Sequence, residues 1–470
     1  MQFQTVPINV TGPTYQSRSR PLSSQRTVNM YQQFDEKGKD PFTLHSFYGQ
    51  EYISEVADGE DRGVHRMNEI LYRIVGKNFY EVDSVGAHTL KGTLTGTGRC
   101  IMEDDGDNLV IIADVVYVYT ASTGVFKQNY NINLVDILSV TIINNQFIYT
   151  SPSLSFMAQP GDPFDVSGLD AIAAESSPDS LVRDYVFNQT IYRMGQRTGE
   201  PWYNSGVGSP PIDRIDGQEF AVGVGAIHTL GHTDNAMYWL GDDKAIYRVS
   251  GGIVQRISDD GLSNTIEEMT TISDAFGYPF TIQGQDFYLI TFPSESRTFV
   301  INEKLGANGW FELSSGNQGD AYSGTSMVQV YNEIYVANRG KLLKLNKDRY
   351  TQDTDTMVRE RITQSFGGEL LGVKGQRVKM SRLELIMEAG VGLITGQGVL
   401  PRVLIETSID GGRSFKHSAW VNVGRMGQNT LRVELWQLIS GESFIFRIRM
   451  SDPVPLSIYS ATLDIKLAGR

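Results

Sequence analysis

Short apolar runs recur along this chain, each closed by a turn and followed by another run of the same kind. The clearest stretch is NAMYWLGDDKAIYRVSGGIVQRIS, from Asn235 to Ser258, where β-forming runs at 237–240, 245–249 and 253–257 are separated by Gly-Asp-Asp and Gly-Gly. Turns of that composition between β-branched and aromatic residues predict a strand, hairpin, strand, hairpin, strand unit. A meander this small cannot bury its own apolar face, so it needs neighbours like itself.

The chain supplies them. Seven copies begin near Glu69 (EILYRIVGKNFYEVD), Asn108 (NLVIIADVVYVYTASTG), Asn145 (NQFIYTSPSLSFMA), Asp184 (DYVFNQTIYRMGQRTG), Asn235, Gln285 (QDFYLITFPSESRTFVIN) and Asn332 (NEIYVANRGKLLKLN), at intervals of 39, 37, 39, 51, 50 and 47 residues. One antiparallel meander every roughly 40 to 50 residues is the signature of propeller blades rather than of helical or leucine-rich repeats. The fold class expected is therefore all-β, a seven-bladed β-propeller over residues 51–355 followed by a small C-terminal β-sandwich over 356–470. Unrelated hairpins within one large sandwich are the alternative.

The sandwich is expected because the later strands alternate more strictly. In SFIFRIRM, Phe444, Phe446, Ile448 and Met450 alternate with Ile445, Arg447 and Arg449, so one face reads apolar and the other basic. Similar runs fall at 382–387, 403–408, 431–435 and 463–467. Residues 1–50, rich in Ser, Arg, Gln and Pro, read as an extended arm, either a strand across the propeller or a segment docked on a neighbouring subunit. Helix is scarce; the best candidate spans 264–275, opened by Ser263, with Glu267 and Glu268 in its first turns.

Charge sharpens the division. The chain has 41 Lys and Arg against 54 Asp and Glu, a net charge of −13, but residues 356–470 hold 15 basic and 10 acidic side chains, leaving +5 there and −18 before it. Such asymmetry suggests two units with different surroundings. The single cysteine, Cys100, excludes an internal disulfide framework and suits a reducing cytoplasm. MQFQTVPINV lacks the basic and apolar regions of a secretory signal, and no run approaches the roughly 20 apolar residues of a membrane span, so cytoplasmic assembly without membrane insertion is expected.

Candidate chemistry is thin. SIDGGRSF resembles an Asp-box, a hairpin turn in which Ser408, Asp410 and Gly412 fold the backbone and Phe415 packs underneath, a structural role even in hydrolases that carry it. His228 and His232 stand four apart, but no Glu lies between them and Gly231 argues against a helix, so a zinc site is not expected. EDDGDN at 103–108 lacks the ligand order of an EF-hand and reads as a solvated blade-to-blade loop. No glycine pair precedes a phosphate-binding helix, and no nucleophile, base and acid fall in recognisable order. A binding or assembly scaffold is expected, without catalysis, cofactor or metal.

TYQSRSRPLSSQRTVNMY near the start, IYRVSGGIVQRIS with TIEE after it, GQDFYLITFP followed by Arg297 to Val300 and Trp310, the RER of Arg359 to Arg361, SIDGGRSF and FRIRMSDPVP, in this order, resemble the packaged-DNA stabilisation proteins of short-tailed bacteriophages (podoviruses), also called tail accessory or tail hub proteins. The resemblance implies a structural virion protein of the tail, assembled in the host cytoplasm, that forms a homohexameric ring below the portal and adaptor. It also implies closure of the DNA exit channel with a needle or plug protein, attachment of tailspikes or fibres, and passage of packaged double-stranded DNA without sequence-specific binding. A glycan-active propeller enzyme of sialidase or depolymerase type and a generic propeller adaptor are the alternatives. Within the ring reading, Arg432, Arg447 and Arg449 are the candidate assembly interface, their guanidiniums free to meet carboxylates of the next subunit.

Overall fold

The computed structural model describes residues 2–468 apart from residues 21, 39, 58, 174–178, 317 and 318. Five antiparallel sheets of four strands follow one another, with inner strands Asp61–Met67, Ile101–Asp104, Ser139–Ile143, Leu181–Phe187 and Gly231–His232. A sixth meander runs from Phe276–Ile282 to Trp310–Glu312. The last takes three strands, from Ser326–Val330 to Lys341–Asn346, and borrows its outer strand, Gly49–Glu55, from the N-terminal side.

Inner strands pack in sequence order, first on second, second on third, third on fourth, then fifth on sixth and sixth on last. Between the fourth and fifth, the Tyr185 hydroxyl meets His232 Nδ1 at 2.8 Å. Ser326–Val330 packs back on Asp61–Met67, so the meanders close a ring. Pairing an early strand with a late meander fixes that closure and removes two free sheet edges.

Second strands of the meanders begin at Ile70, Asn108, Gln146, Thr190, Met237, Gln285 and Glu333. The copy assigned to Asp184 is thus out of phase, because Asp184 lies in a first strand. Rephased on Thr190, the intervals grow steadily from 38 to 48 residues. The cause is local: DYVF and TIYR are both β-forming, and the same pattern of polar residue, β-run and turn fits either.

The N-terminal segment, expected as an extended arm across the propeller or on a neighbouring subunit, supplies strands to the sandwich instead. Gln4–Ile8 pairs with Ser457–Leu467, and Met30–Phe34 pairs with Phe42–Ser46, which also pairs with Ser457–Leu467. These join Val378–Met387 and Val433–Gly441 in one sheet of the sandwich. The facing sheet holds Arg359–Ile362, Ser443–Met450, Arg402–Ser408 and His417–Asn422. Phe444, Phe446, Ile448 and Met450 enter the core between the sheets with Val378, Leu383, Leu463 and Ile465, as the alternation predicts. Each such side chain contributes at most about 1.5–3 kcal/mol of burial.

The α-helix spans Asp260–Glu267, not 264–275. Asp259 is its cap, accepting from Leu262 N at 2.7 Å, while the Ser263 hydroxyl bonds Ser258 instead. Glu267 and Glu268 consequently fall at the C-terminal end, where the helix dipole does not favour them. EDDGDN is likewise not a blade-to-blade loop. It is the hairpin between Ile101–Asp104 and Asn108–Ile112, folded by Asp105 accepting from the amides of Asp107 and Asn108. Among the described residues no helix is long and apolar enough to cross a membrane.

Candidate functional site at the junction of propeller and sandwich

One sheet runs out of the propeller and into the sandwich. Trp310–Glu312, the outer strand of the sixth meander, pairs in parallel with the arm strand Ser24–Val28, and that strand pairs antiparallel with Arg359–Ile362, which pairs with Ser443–Met450. The arm strand is therefore the splice. An alternating row of charges crosses it. Glu312 lies between Arg297 at 3.2 Å and Arg26 at 2.9 Å, Arg26 reaches on to Glu360 at 3.5 Å, and Arg449 meets Glu360 at 3.2 Å. One strand further, Arg447 grips both oxygens of Glu406 at 2.5 and 2.7 Å.

Glu312 is the most enclosed member, with its side chain 2% exposed. Burial pushes its carboxyl up, but the charges of Arg26 and Arg297 and their hydrogen bonds outweigh that and hold it below the usual range.

The residues flanking Glu360 point the other way, as a period of two requires. Arg361 is fully buried and donates to the carbonyls of Val10, Thr11, Gly12 and Pro13 and to Thr27 Oγ1 and Gln25 Oε1, all within 2.7–3.1 Å. Arg359 donates to the carbonyls of Val454 and Asp452. Burial lowers both guanidiniums, to about 9 and about 10, yet both stay charged at neutral pH. Gly12 makes room for this clasp: at φ +147°, any Cβ there would lie 2.8 Å from Arg361 Nη2. Asn29, at a left-handed φ of 53°, lies between two arm strands and ties them to both units through Ser314 O at 2.9 Å and Val358 O at 2.8 Å.

The Asp-box turn forms as its residues predict. Asp410 accepts from the Ser414 hydroxyl and amide and from Ser408, which holds its carboxyl well below the usual range. The Ser408 hydroxyl also receives the Gly412 amide at 2.9 Å. Gly412, at φ +82°, brings the turn against the arm, since a Cβ there would come 2.5 Å from Ser24 Oγ. Phe415 does not join the sandwich core; it is half-buried beneath Arg447, whose guanidinium sits 4.3 Å from the ring centre.

The three arginines expected at one free face are divided. Arg447 and Arg449 belong to the charge row and already hold internal carboxylates, whereas Arg432 precedes an edge strand of the other sheet, 71% exposed, near Glu384 and Glu434 at 3.8–3.9 Å. The alternation of SFIFRIRM shows which face carries the arginines but not what lies across from it. Sequence reasoning missed the charge row of Arg26, Arg297, Glu312 and Glu360, in which Arg26 pairs with Glu312 286 residues away and with Glu360 farther still. The available signal was RER itself, since two arginines on the face opposite Glu360 read as a buried pair.

The two histidines also part company. His232 meets Tyr185, while the His228 carbonyl receives the Gly277 amide. Among the described residues no three His, Cys, Asp or Glu side chains are grouped to hold a metal ion.

No curated protein matches this sequence. Similar solved structures include the extracellular domain of a one-component system from B. thetaiotaomicron (9% identity, TM-score 0.45, covering 81% of this chain and 48% of that one) and PorZ, a surface component of the type-IX secretion system of Porphyromonas gingivalis (10%, 0.39, 62% and 37%). A third is BamB from Moraxella catarrhalis (10%, 0.38, 73% and 96%). This chain thus spans about half or less of the first two, and likeness at this level carries no argument. Family models are decisive instead: one described as bacteriophage P22 Gp10, beta-propeller, matches residues 4–349, and one described as bacteriophage P22 Gp10, beta-sandwich, matches residues 364–466. The two units joined by the arginine clasp are those of the matched models, and the chain belongs to the bacteriophage P22 Gp10 family of phage tail structural proteins.

Proposed function

We propose that this chain is the ring-forming hub of a short phage tail, built from a seven-bladed propeller and a sandwich that act as one stiff part. Six copies stand below the portal and adaptor, narrow the DNA exit channel, retain the packaged genome together with a needle or plug protein, anchor tailspikes or fibres, and let DNA pass at ejection. The protein acts by assembly and not by catalysis. The observation that carries this reading is the splice: an arm strand and a buried arginine hold both family-matched units together, as a part that bears the pressure of packaged DNA requires. The acidic propeller supports it too, because a net negative body repels passing phosphate instead of gripping it.

Native mass spectrometry of the chain with its adaptor tests the ring, and particles assembled without the chain test retention. Closed rings and loss of packaged DNA from deficient particles are expected. Persistent monomers on the adaptor, or full DNA retention without the chain, would refute the proposal.

A further inference from the structure

The ring of inner strands surrounds an axis, and arginine side chains stand on it. Arg99 precedes the inner strand of the second meander, yet its Nη2 donates to Thr325 O at 2.7 Å and to Ser326 Oγ at 3.1 Å, at the start of the last meander. Its guanidinium lies 4.0 Å from the ring centre of Phe276, the first residue of the sixth. A side chain that begins in the second meander and ends against the sixth and last has crossed the axis and bars it.

Arg183 comes from the fourth meander, and His228 leads into the fifth. Arg183 is 8% exposed, donates through Nη1 to Ile227 O at 3.2 Å, and leaves its buried Nε without a partner. Charge from both Arg99 and Arg183 reaches the His228 ring and, after burial, helps push it down to about 3, so at neutral pH the imidazole adds no charge. Neither guanidinium has a carboxylate within 4.0 Å among the described residues. Asp61, whose charge also reaches Arg99, is already bound to Arg73 at 2.6 Å, and Glu103, whose charge reaches Arg183, makes no ion pair among the described residues. Arg99, His228 and Glu103 nevertheless keep part of their surface accessible.

Two enclosed cations with carboxylates near enough to feel but none in direct contact are costly unless something anionic joins them. We propose that the propeller axis is a closed anion pocket and not a passage, in which Arg99 and Arg183 together hold a small oxyanion such as sulfate or phosphate. Fork-shaped donors suit tetrahedral oxyanions, and the unused Nε–H of Arg183 is a donor awaiting an acceptor. A barred axis also means that no nucleic acid threads a single propeller, so any DNA conduit lies between subunits. The pocket does not depend on ring formation.

Titration calorimetry of the full chain with sulfate, at ionic strength held constant with chloride, tests it. A saturable site is expected, weakened about tenfold or more by Arg99→Gln and by Arg183→Gln, as for loss of a charge-assisted bond, and unchanged by Arg447→Gln, which lies off the axis. If the axial variants do not fold, the wild type still decides: its melting temperature must rise with sulfate at fixed ionic strength. No saturable heat and no rise for the wild type, or axial variants that fold and bind like it, would overturn the proposal.

Discussion

Arg361 and Arg183 are the same residue at similar depth, and they are served very differently. Arg361 has an acceptor for each arm of its guanidinium, drawn from four consecutive carbonyls of the N-terminal segment and two side chains. Among the described residues Arg183 makes one hydrogen bond, lies 4.9 Å from the Tyr185 ring centre and leaves its Nε bare. The cost of enclosing a cation is the same in kind at both places, but only at the junction does the fold itself offset it. A fully satisfied buried arginine is a clasp; one with a donor left unpartnered has binding capacity to spare. That contrast places stability at the junction and the proposed anion site on the axis, and graded substitutions test it.

Arg361→Met should have the largest effect. It strands buried carbonyls around an apolar side chain, each a charge-assisted bond lost, and is expected to destabilise the chain by about 3 kcal/mol or more. Glu312→Gln comes next, at about 2 kcal/mol, since two arginines lose a charged acceptor in a buried position. Its pH dependence has a definite sign. The folded-state carboxyl is held below the ordinary value, so the stabilisation is present above about pH 4.3 and lost as pH falls through the depressed value. Acid titration of wild type and variant by fluorescence should show the wild type losing stability below that range and the variant changing less. Equal acid slopes for the two would mean that Glu312 is not ionised between its arginines.

Arg447→Gln should cost less, about 0.5–1 kcal/mol, because its pair with Glu406 is partly solvated. Reversing both Arg447 and Arg449 to Glu would instead set carboxylates against Glu406 and Glu360 and weaken the monomer itself, so it is not a clean probe of assembly. Arg432→Gln is the smallest step, within about 0.5 kcal/mol, as for other exposed positions. Denaturant melts of these variants rank the series, and an Arg432 effect as large as that of Arg447 would break the contrast between row and surface.

Much of this architecture was legible because it is local. Turn residues between β-forming runs disclose the meanders, and alternation in SFIFRIRM discloses a strand with one core face. Asp184 was misplaced because two adjacent runs satisfy the same local pattern. The arm was illegible for a different reason: Ser24–Val28 is polar, and its role comes from neighbours near residues 312 and 361. Charge partners so distant leave no mark on spacing. A recurrent apolar-Tyr-Arg string was a nearer clue, since Arg73 and Arg193 each turn inward to an aspartate on the adjoining strand, Asp61 and Asp184. The third copy, ending at Arg248, stays partly exposed and pairs with Glu303, so the string marks inward arginines only where an aspartate faces it.

The central claim is that the clasp makes propeller and sandwich one mechanical piece. Differential scanning calorimetry of wild type and Arg361→Met tests it most directly. A single cooperative transition for the wild type, split in the variant into separate transitions for the two units, is the result predicted. Two independent transitions already present in the wild type, with the substitution shifting only one of them, would contradict it.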